Sequence, residues 1–115
     1  MQLVRKNLDT TGLAERARVV QGDALEFLQS TSERFGLVFL DPPYASGLLE
    51  KVFREFERRD FQPLLPGGII VAEHPADKPG PSADALTART YRYGKIAVTL
   101  CRRAQDCEKT ANPTE

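Results

Sequence analysis

The chain has 115 residues, enough for one domain with one hydrophobic core and too few for two. Its 16 Lys and Arg balance 16 Asp and Glu, so overall basicity does not mark a nucleic-acid binder and any such contact must come from a local patch. No apolar run approaches the roughly 18 residues of a membrane span, and the start MQLVRKNLDT lacks the apolar stretch of a signal peptide; the expectation is a soluble, cytoplasmic protein with no membrane partner.

In chain order, Met1 to Leu13 sets Leu3, Val4 and Leu8 among Arg5, Lys6 and Asn7, the pattern of an amphipathic helix that closes at Gly12. Ala17 to Gln21 reads as a short strand. Gly22 and Asp23 then turn the chain into a helix over Ala24 to Gln29, with Leu25 and Leu28 on one face. Asp23 and Glu26 stand at capping-box spacing, which gives Asp23 a structural task. Leu37 to Leu40 is an uninterrupted apolar run, the mark of a central strand buried on both faces, and the prolines after it stop the strand at Asp41.

Gly47 to Arg59 follows as the clearest helix, because Leu49, Val52, Phe53 and Phe56 fall at helical spacing. Arg54, Glu55, Glu57, Arg58 and Arg59 fill its other face and read as solvated. Pro63 to Gly68 reads as a loop, Ile69 to Ala72 as a second buried parallel strand, and His74 to Ala85 as an exposed connection. Thr87 to Tyr93 and Ile96 to Arg102 flank Gly94 and Lys95, a pair suited to a type II′ hairpin, so the sheet ends in an antiparallel pair. Residues 104–115 are polar and lack an apolar period; they are expected to form a disordered tail behind a domain over residues 1–103.

The side chains with chemical potential are few. Cys101 and Cys107 have no partner at metal spacing and read as free thiols, and the sole histidine, His74, reads as structural; no metal site is expected. Arg89, Arg92, Lys95, Arg102 and Arg103 gather on the hairpin. The ordinary reading is solvated charge, and the sharper one is contact with phosphate. Ligands of open α/β sheets bind at the carboxyl ends of strands, and the central strand delivers Asp41, Pro42, Pro43 and Tyr44 there.

A strand ending in Asp41-Pro42-Pro43-Tyr44, then a helix, a Gly-Gly-led strand and a closing hairpin, resembles the catalytic half of S-adenosylmethionine-dependent amino-group methyltransferases. With VRKNL (Val4 to Leu8), VVQGDALEFL (Val19 to Leu28) and RYGKIAVTL (Arg92 to Leu100), it resembles the bacterial small-subunit ribosomal RNA guanine-N2 methyltransferases of the RsmD type. The resemblance implies an α/β chain with a partial Rossmann-like S-adenosylmethionine methyltransferase fold, mostly parallel with a C-terminal antiparallel hairpin. It implies S-adenosylmethionine as cofactor and ribosomal RNA or the small ribosomal subunit as partner. It also assigns substrate contact and catalysis to Asp41, Pro42, Pro43 and Tyr44, and cofactor binding to Asp23, Ala24, Leu25 and Asp41. Spacing alone favours the cap for Asp23, whereas the resemblance gives its carboxylate the adenine amino group.

The chain departs from that family: no G-x-G occurs, although the family holds the methionine part of the cofactor with a glycine-rich turn. The acidic residue that binds the ribose at the end of the family's second strand and the N-terminal basic segment expected to help hold RNA are also missing. It therefore reads as the C-terminal portion of such an enzyme, with weak or absent cofactor binding by itself. The family's strand order 3-2-1-4-5-7-6 suggests that Ala17 to Gln21 pairs directly with the central strand in a five-stranded remnant, or else that unpaired apolar edges favour oligomers. The alternatives to the RNA enzyme are a DNA amino-methyltransferase with the same tetrapeptide type and a non-catalytic remnant or binding domain.

Overall fold

The computed structural model of the chain describes residues 2–41 and 47–105. Helix α1 spans Gln2–Thr11 and ends as the sequence suggests: Gly12 adopts φ 74°, Leu13 N donates to Leu8 O at 3.0 Å and Gly12 N donates to Asp9 O at 3.2 Å. This pair of bonds is a Schellman closure, which satisfies carbonyls the helix would otherwise leave open. A short 3-10 turn, Ala14–Arg16, follows. Helix α2 (Ala24–Ser30) precedes strand β1 (Phe35–Leu40), helix α3 (Leu48–Arg58), strand β2 (Leu64–Pro75) and the hairpin strands β3 (Leu86–Tyr93) and β4 (Ile96–Arg103).

The sheet order is β1-β2-β4-β3. Only β1 and β2 are parallel, with α3 between them in the chain, and the other two pairings are antiparallel, so the sheet is mixed rather than mostly parallel. The expected strand at Ala17 to Gln21 does not form. Extended backbone becomes a strand only with a hydrogen-bonding partner, and residues 17–21 have none in the described sheet. Four strands result among the described residues, not five.

Register explains which side chains are buried. Val38 pairs with Ile70 and Leu40 with Ala72, while Cys101 stands across from Ile70 and Thr99 across from Ala72. All these side chains point to one face. Val52, Phe53 and Phe56 of α3 meet that face, with Leu28 of α2 and Phe61 beside them, and Phe61 lies edge-on to Phe53 at 5.8 Å between ring centroids. The opposite face is open among the described residues. Leu37 is 54% exposed and Phe39 70%, which corrects the expectation that β1 is buried on both sides. A run of large apolar residues reports strand propensity; burial needs a layer on each face.

Three further expectations change. β2 begins at Leu64 instead of Ile69, with an irregular stretch before its regular pairing with β1 resumes at Ile69. It also runs on through His74 and Pro75, and His74 is buried, so that end is not an exposed connection. On α3, Glu55 is buried and the Arg58 guanidinium that hydrogen-bonds it holds its carboxyl below the usual value, despite an opposing push from burial. Arg59 reaches back, donating from Nη1 to Leu28 O at 2.7 Å and Thr31 O at 2.8 Å. That pair of bonds satisfies the end of α2 and ties it to α3. The hairpin forms as expected, with Gly94 at φ 63°.

Two outcomes test this packing. Phe56, 2% exposed at the centre of the helix layer, should cost about 3–5 kcal/mol when replaced by Ala, measured by urea denaturation; a loss under about 1 kcal/mol would show that α3 is not the lid of the core. Burial pushes the Cys101 thiol up to about 11. The folded state then holds the thiol proton more tightly than the unfolded state, so this contribution is complete at neutral pH and drains away as pH rises through about 9 to about 11. Cys101→Ala should flatten the stability profile across that window, and an unchanged slope would sink the assignment.

Candidate functional site

Asp41 is exposed and directly follows β1. Because Leu40 is in register with Ala72, it lies alongside Glu73 at the carboxyl end of the parallel pair. Pro42, Pro43 and Tyr44 lie outside the described residues. The chain enters α3 through Gly47, whose φ of 69° suits glycine, and the apolar face of α3 packs into the core.

A second feature opens beside α2. An open cleft of about 480 Å³ is lined by Arg18, Val20, Gly22, Asp23, Ala24, Phe27, Glu33 and Phe35. Phe27 and Phe35 lie 6.5 Å apart and make an aromatic wall, and Arg18 and Glu33 form an ion pair between exposed side chains. The Asp23 carboxylate caps α2: Oδ1 accepts from Leu25 N at 2.8 Å and from Glu26 N at 3.4 Å. No donor among the described residues takes Oδ2, so one carboxylate oxygen can cap the helix while the other meets a ligand.

The structure therefore brings Asp23 and Ala24 together in one cleft, while Leu25 packs toward the core. Asp41 does not line that cleft. It stands six residues beyond Phe35, about 20 Å along the strand at roughly 3.3 Å per residue. The lining residues that sequence reading missed are Arg18, Val20, Phe27, Glu33 and Phe35. They come from three separate stretches, the residues before α2, α2 itself and the entry into β1, which no local sequence pattern joins.

His74 is accounted for structurally. Pro75 O can only accept, so Nδ1, at 3.0 Å, carries the proton; Nε2 then accepts from Thr99 Oγ1 at 2.7 Å, and Thr90 Oγ1 donates to Thr99 Oγ1 at 2.8 Å. Gly80 closes over this chain, where a Cβ would run into Thr99 Oγ1 and His74 Nε2. Among the described residues no group of three or more His, Cys, Asp or Glu is placed to hold a metal. Of the hairpin cations, Arg103 is committed, donating from Nη1 to Phe61 O at 2.9 Å and to Leu64 O.

Comparison with known proteins gives this geometry a context. Residues 1–102 match the family model described as Conserved hypothetical protein 95. The chain is 31% identical over 113 residues to ribosomal RNA small subunit methyltransferase D of Escherichia coli K12, covering 96% of this chain and 56% of that protein. It is 38% identical over 76 residues to ribosomal RNA large subunit methyltransferase K/L of Pseudomonas entomophila, covering 57% of this chain and 10% of that protein. The chain thus spans about half the length of the first relative and about a tenth of the second.

Among solved structures, a Haemophilus influenzae protein assigned as a methylase superposes with TM-score 0.77 at 27% identity, covering 90% of this chain and 66% of that one. An E. coli protein assigned as a methyltransferase gives TM-score 0.74 at 31% identity, with 90% and 56% covered. The four-stranded sheet with its helices is accordingly part of a Rossmann-like methyltransferase fold.

The cap is separable from any ligand role. Asp23→Ala should lower stability by about 1 kcal/mol in urea denaturation, whereas Asp23→Asn, which keeps an acceptor oxygen, should stay within a few tenths. Equal losses for both would show that charge, not the cap, is what α2 requires.

Proposed function

The chain belongs to the Conserved hypothetical protein 95 family, and on that premise we propose that it forms part of an enzyme transferring a methyl group from S-adenosylmethionine to the exocyclic N2 of a guanine in small-subunit ribosomal RNA. The observation that carries this reading is the placement of Asp41 at the carboxyl end of a parallel strand pair, with Pro-Pro-Tyr directly after it in the sequence. S-adenosylmethionine would supply an activated methyl on a sulfonium. The chain's own task is then orientation.

A guanine amino nitrogen is a poor nucleophile because its lone pair is delocalised into the ring. Two acceptors that draw its N–H bonds out of conjugation localise that pair and stabilise positive charge as it develops. In this proposal Asp41 Oδ and the Pro42 carbonyl are those acceptors, the fixed φ of consecutive prolines keeps the carbonyl aimed, and Tyr44 stacks on the base, a contact worth roughly 1–3 kcal/mol. Asp41 is also the group on which the released proton can rest. Asp23 Oδ2 would accept from the adenine amino group, the Ala24 N–H would meet the ring, Leu25 would support them from the core side, and Val20, Phe27 and Phe35 would wall its plane. The donor set of the cleft fits an adenine: one open carboxylate oxygen beside apolar and aromatic surface.

The test is transfer of labelled methyl from S-adenosylmethionine to naked small-subunit RNA, assembled small subunits, large-subunit RNA and DNA. It is run on this chain and on the natural gene product that carries it. Label on guanine N2 of small-subunit RNA is expected, and label confined to DNA, or none from the gene product, would overturn the reading. Asp41→Ala in the gene product should lower transfer about 100-fold or more with an unchanged circular dichroism spectrum. Transfer at the wild-type rate would refute the role of Asp41.

A further inference from the structure

The charge of the chain is neutral overall, yet it is not evenly spread. The hairpin from Leu86 to Arg103 holds five of the 16 cationic residues and none of the 16 acidic ones. Arg103 is engaged within the fold, but Arg89, Arg92 and Lys95 are exposed and enter no ion pair among the described residues. β3 is the outer strand of the described sheet, so Arg89 and Arg92 lie along its edge and Lys95 in the turn that ends it.

Aromatic rings interleave with the cations on that edge. Side chains alternate along a strand, so Arg89, Tyr91 and Tyr93 share the face opposite the helices, across from Leu100, Val98 and Ile96 of β4. Tyr91 is 42% exposed and Tyr93 67%, with apolar cross-strand neighbours beside them. Arg92 points to the other face of the same strand, and Lys95 sits in the turn beyond Tyr93. Cations on both sides of exposed rings mark a surface for bases with phosphates at their flanks.

The position of this strip matters as much as its composition. Ile96 pairs with both Pro75 and Tyr93, so the hairpin tip lies at the same end of the sheet as Asp41. Three strand spacings of about 4.8 Å separate β1 from β3, which places Tyr93 about 15 Å from Asp41 across the sheet. A nucleic-acid strand whose target base enters at Asp41 would run over the hairpin within a few nucleotides.

The geometry points to a docking strip for single-stranded RNA formed by Arg89, Tyr91, Tyr93, Arg92 and Lys95, which holds the nucleotides flanking the methylated base. This rests on the RNA reading above. Unpaired bases stack on Tyr91 and Tyr93, and the cations meet the phosphates. A duplex is a poorer fit, because its bases are already paired and stacked and an open sheet face cannot reach them. Two rings on alternate positions of one strand are enough to hold two successive bases. This edge also differs from the opposite edge of the same face, where Leu37 and Phe39 of β1 are exposed and no cation lies on the strand.

The experiment is fluorescence anisotropy of the full chain with a labelled single-stranded RNA of mixed sequence and with the matching duplex, at several salt concentrations. Tyr91→Ala and Tyr93→Ala are each expected to weaken single-strand binding about 5- to 150-fold, while Tyr91→Phe and Tyr93→Phe keep it within about two-fold. Arg89→Ala and Lys95→Ala should each lower the slope of log affinity against log salt by about 0.7. Thermal melts of each variant confirm that it is folded. Affinity unchanged in the Tyr91→Ala/Tyr93→Ala double variant, preference for the duplex, or a dimer in light scattering that the double variant abolishes would overturn the strip. Methyl transfer by the natural gene product separates the two ideas: transfer intact with an unchanged KM in the double variant counts against the strip alone, and transfer absent while tyrosine-dependent RNA binding persists counts against the enzyme reading alone.

Discussion

The structure depends on one constraint: a parallel strand pair needs a crossover, and here the crossover is a helix with a single apolar face. β1 and β2 are brought together by the segment containing α3, and Val52, Phe53 and Phe56 then close over the side chains that both strands send to that face. Helix α2 and the hairpin attach to this unit. α2 is tied to it by the Arg59 guanidinium on the carbonyls of Leu28 and Thr31, and the hairpin is tied to it through the long β2–β4 ladder and Arg103. Burial on that side is complete enough to remove Ile70, Ala72, Ala97 and Cys101 from solvent.

The same unit aligns the candidate chemistry. β1 stops level with Ala72 and β2 runs on to Pro75, so the carboxyl ends of both parallel strands and the tip of the antiparallel hairpin lie on one rim of the sheet. Asp41 is placed there by the proline that forbids a longer strand, and the hairpin by a two-residue turn built on Gly94. The cleft at Asp23 is a separate element, lying where the extended residues after α1 pass the start of α2. Asp41 is positioned by the register of the β1–β2 ladder, whereas the cleft at Asp23 rests on the start of α2. A rim that gathers an acidic strand end and a basic, aromatic edge suits a substrate that is itself both planar and anionic.

Local patterns were legible where one physical cause acts alone. The Gly12 closure, the Asp23 cap, the apolar stripe of α3 and the Gly94-Lys95 turn each follow from steric or hydrogen-bonding rules within a few residues, and each is present. The errors occur where the outcome belongs to a neighbour. Ala17 to Gln21 has strand-forming residues and no strand to pair with. Glu55 carries a charge that suggests solvent, yet its helix face turns inward and Arg58 compensates it. His74 follows a predicted strand end and is buried because Thr99, 25 residues further along the chain, and Gly80 close around it.

By itself the sequence determined the order and type of most elements, the point at which β1 must stop, and the tetrapeptide on which the proposed chemistry rests. These are decided by backbone sterics, side-chain periodicity and the absence of an N–H on proline, all of which act within a few bonds. Tertiary structure alone decided which face of β1 is covered, which cations are engaged within the fold and which stand free beside tyrosines, and that Phe27 and Phe35 share a cleft with Asp23. Those are relations between residues distant in the chain, and their energies arise only when a second surface arrives to exclude water or to accept a hydrogen bond.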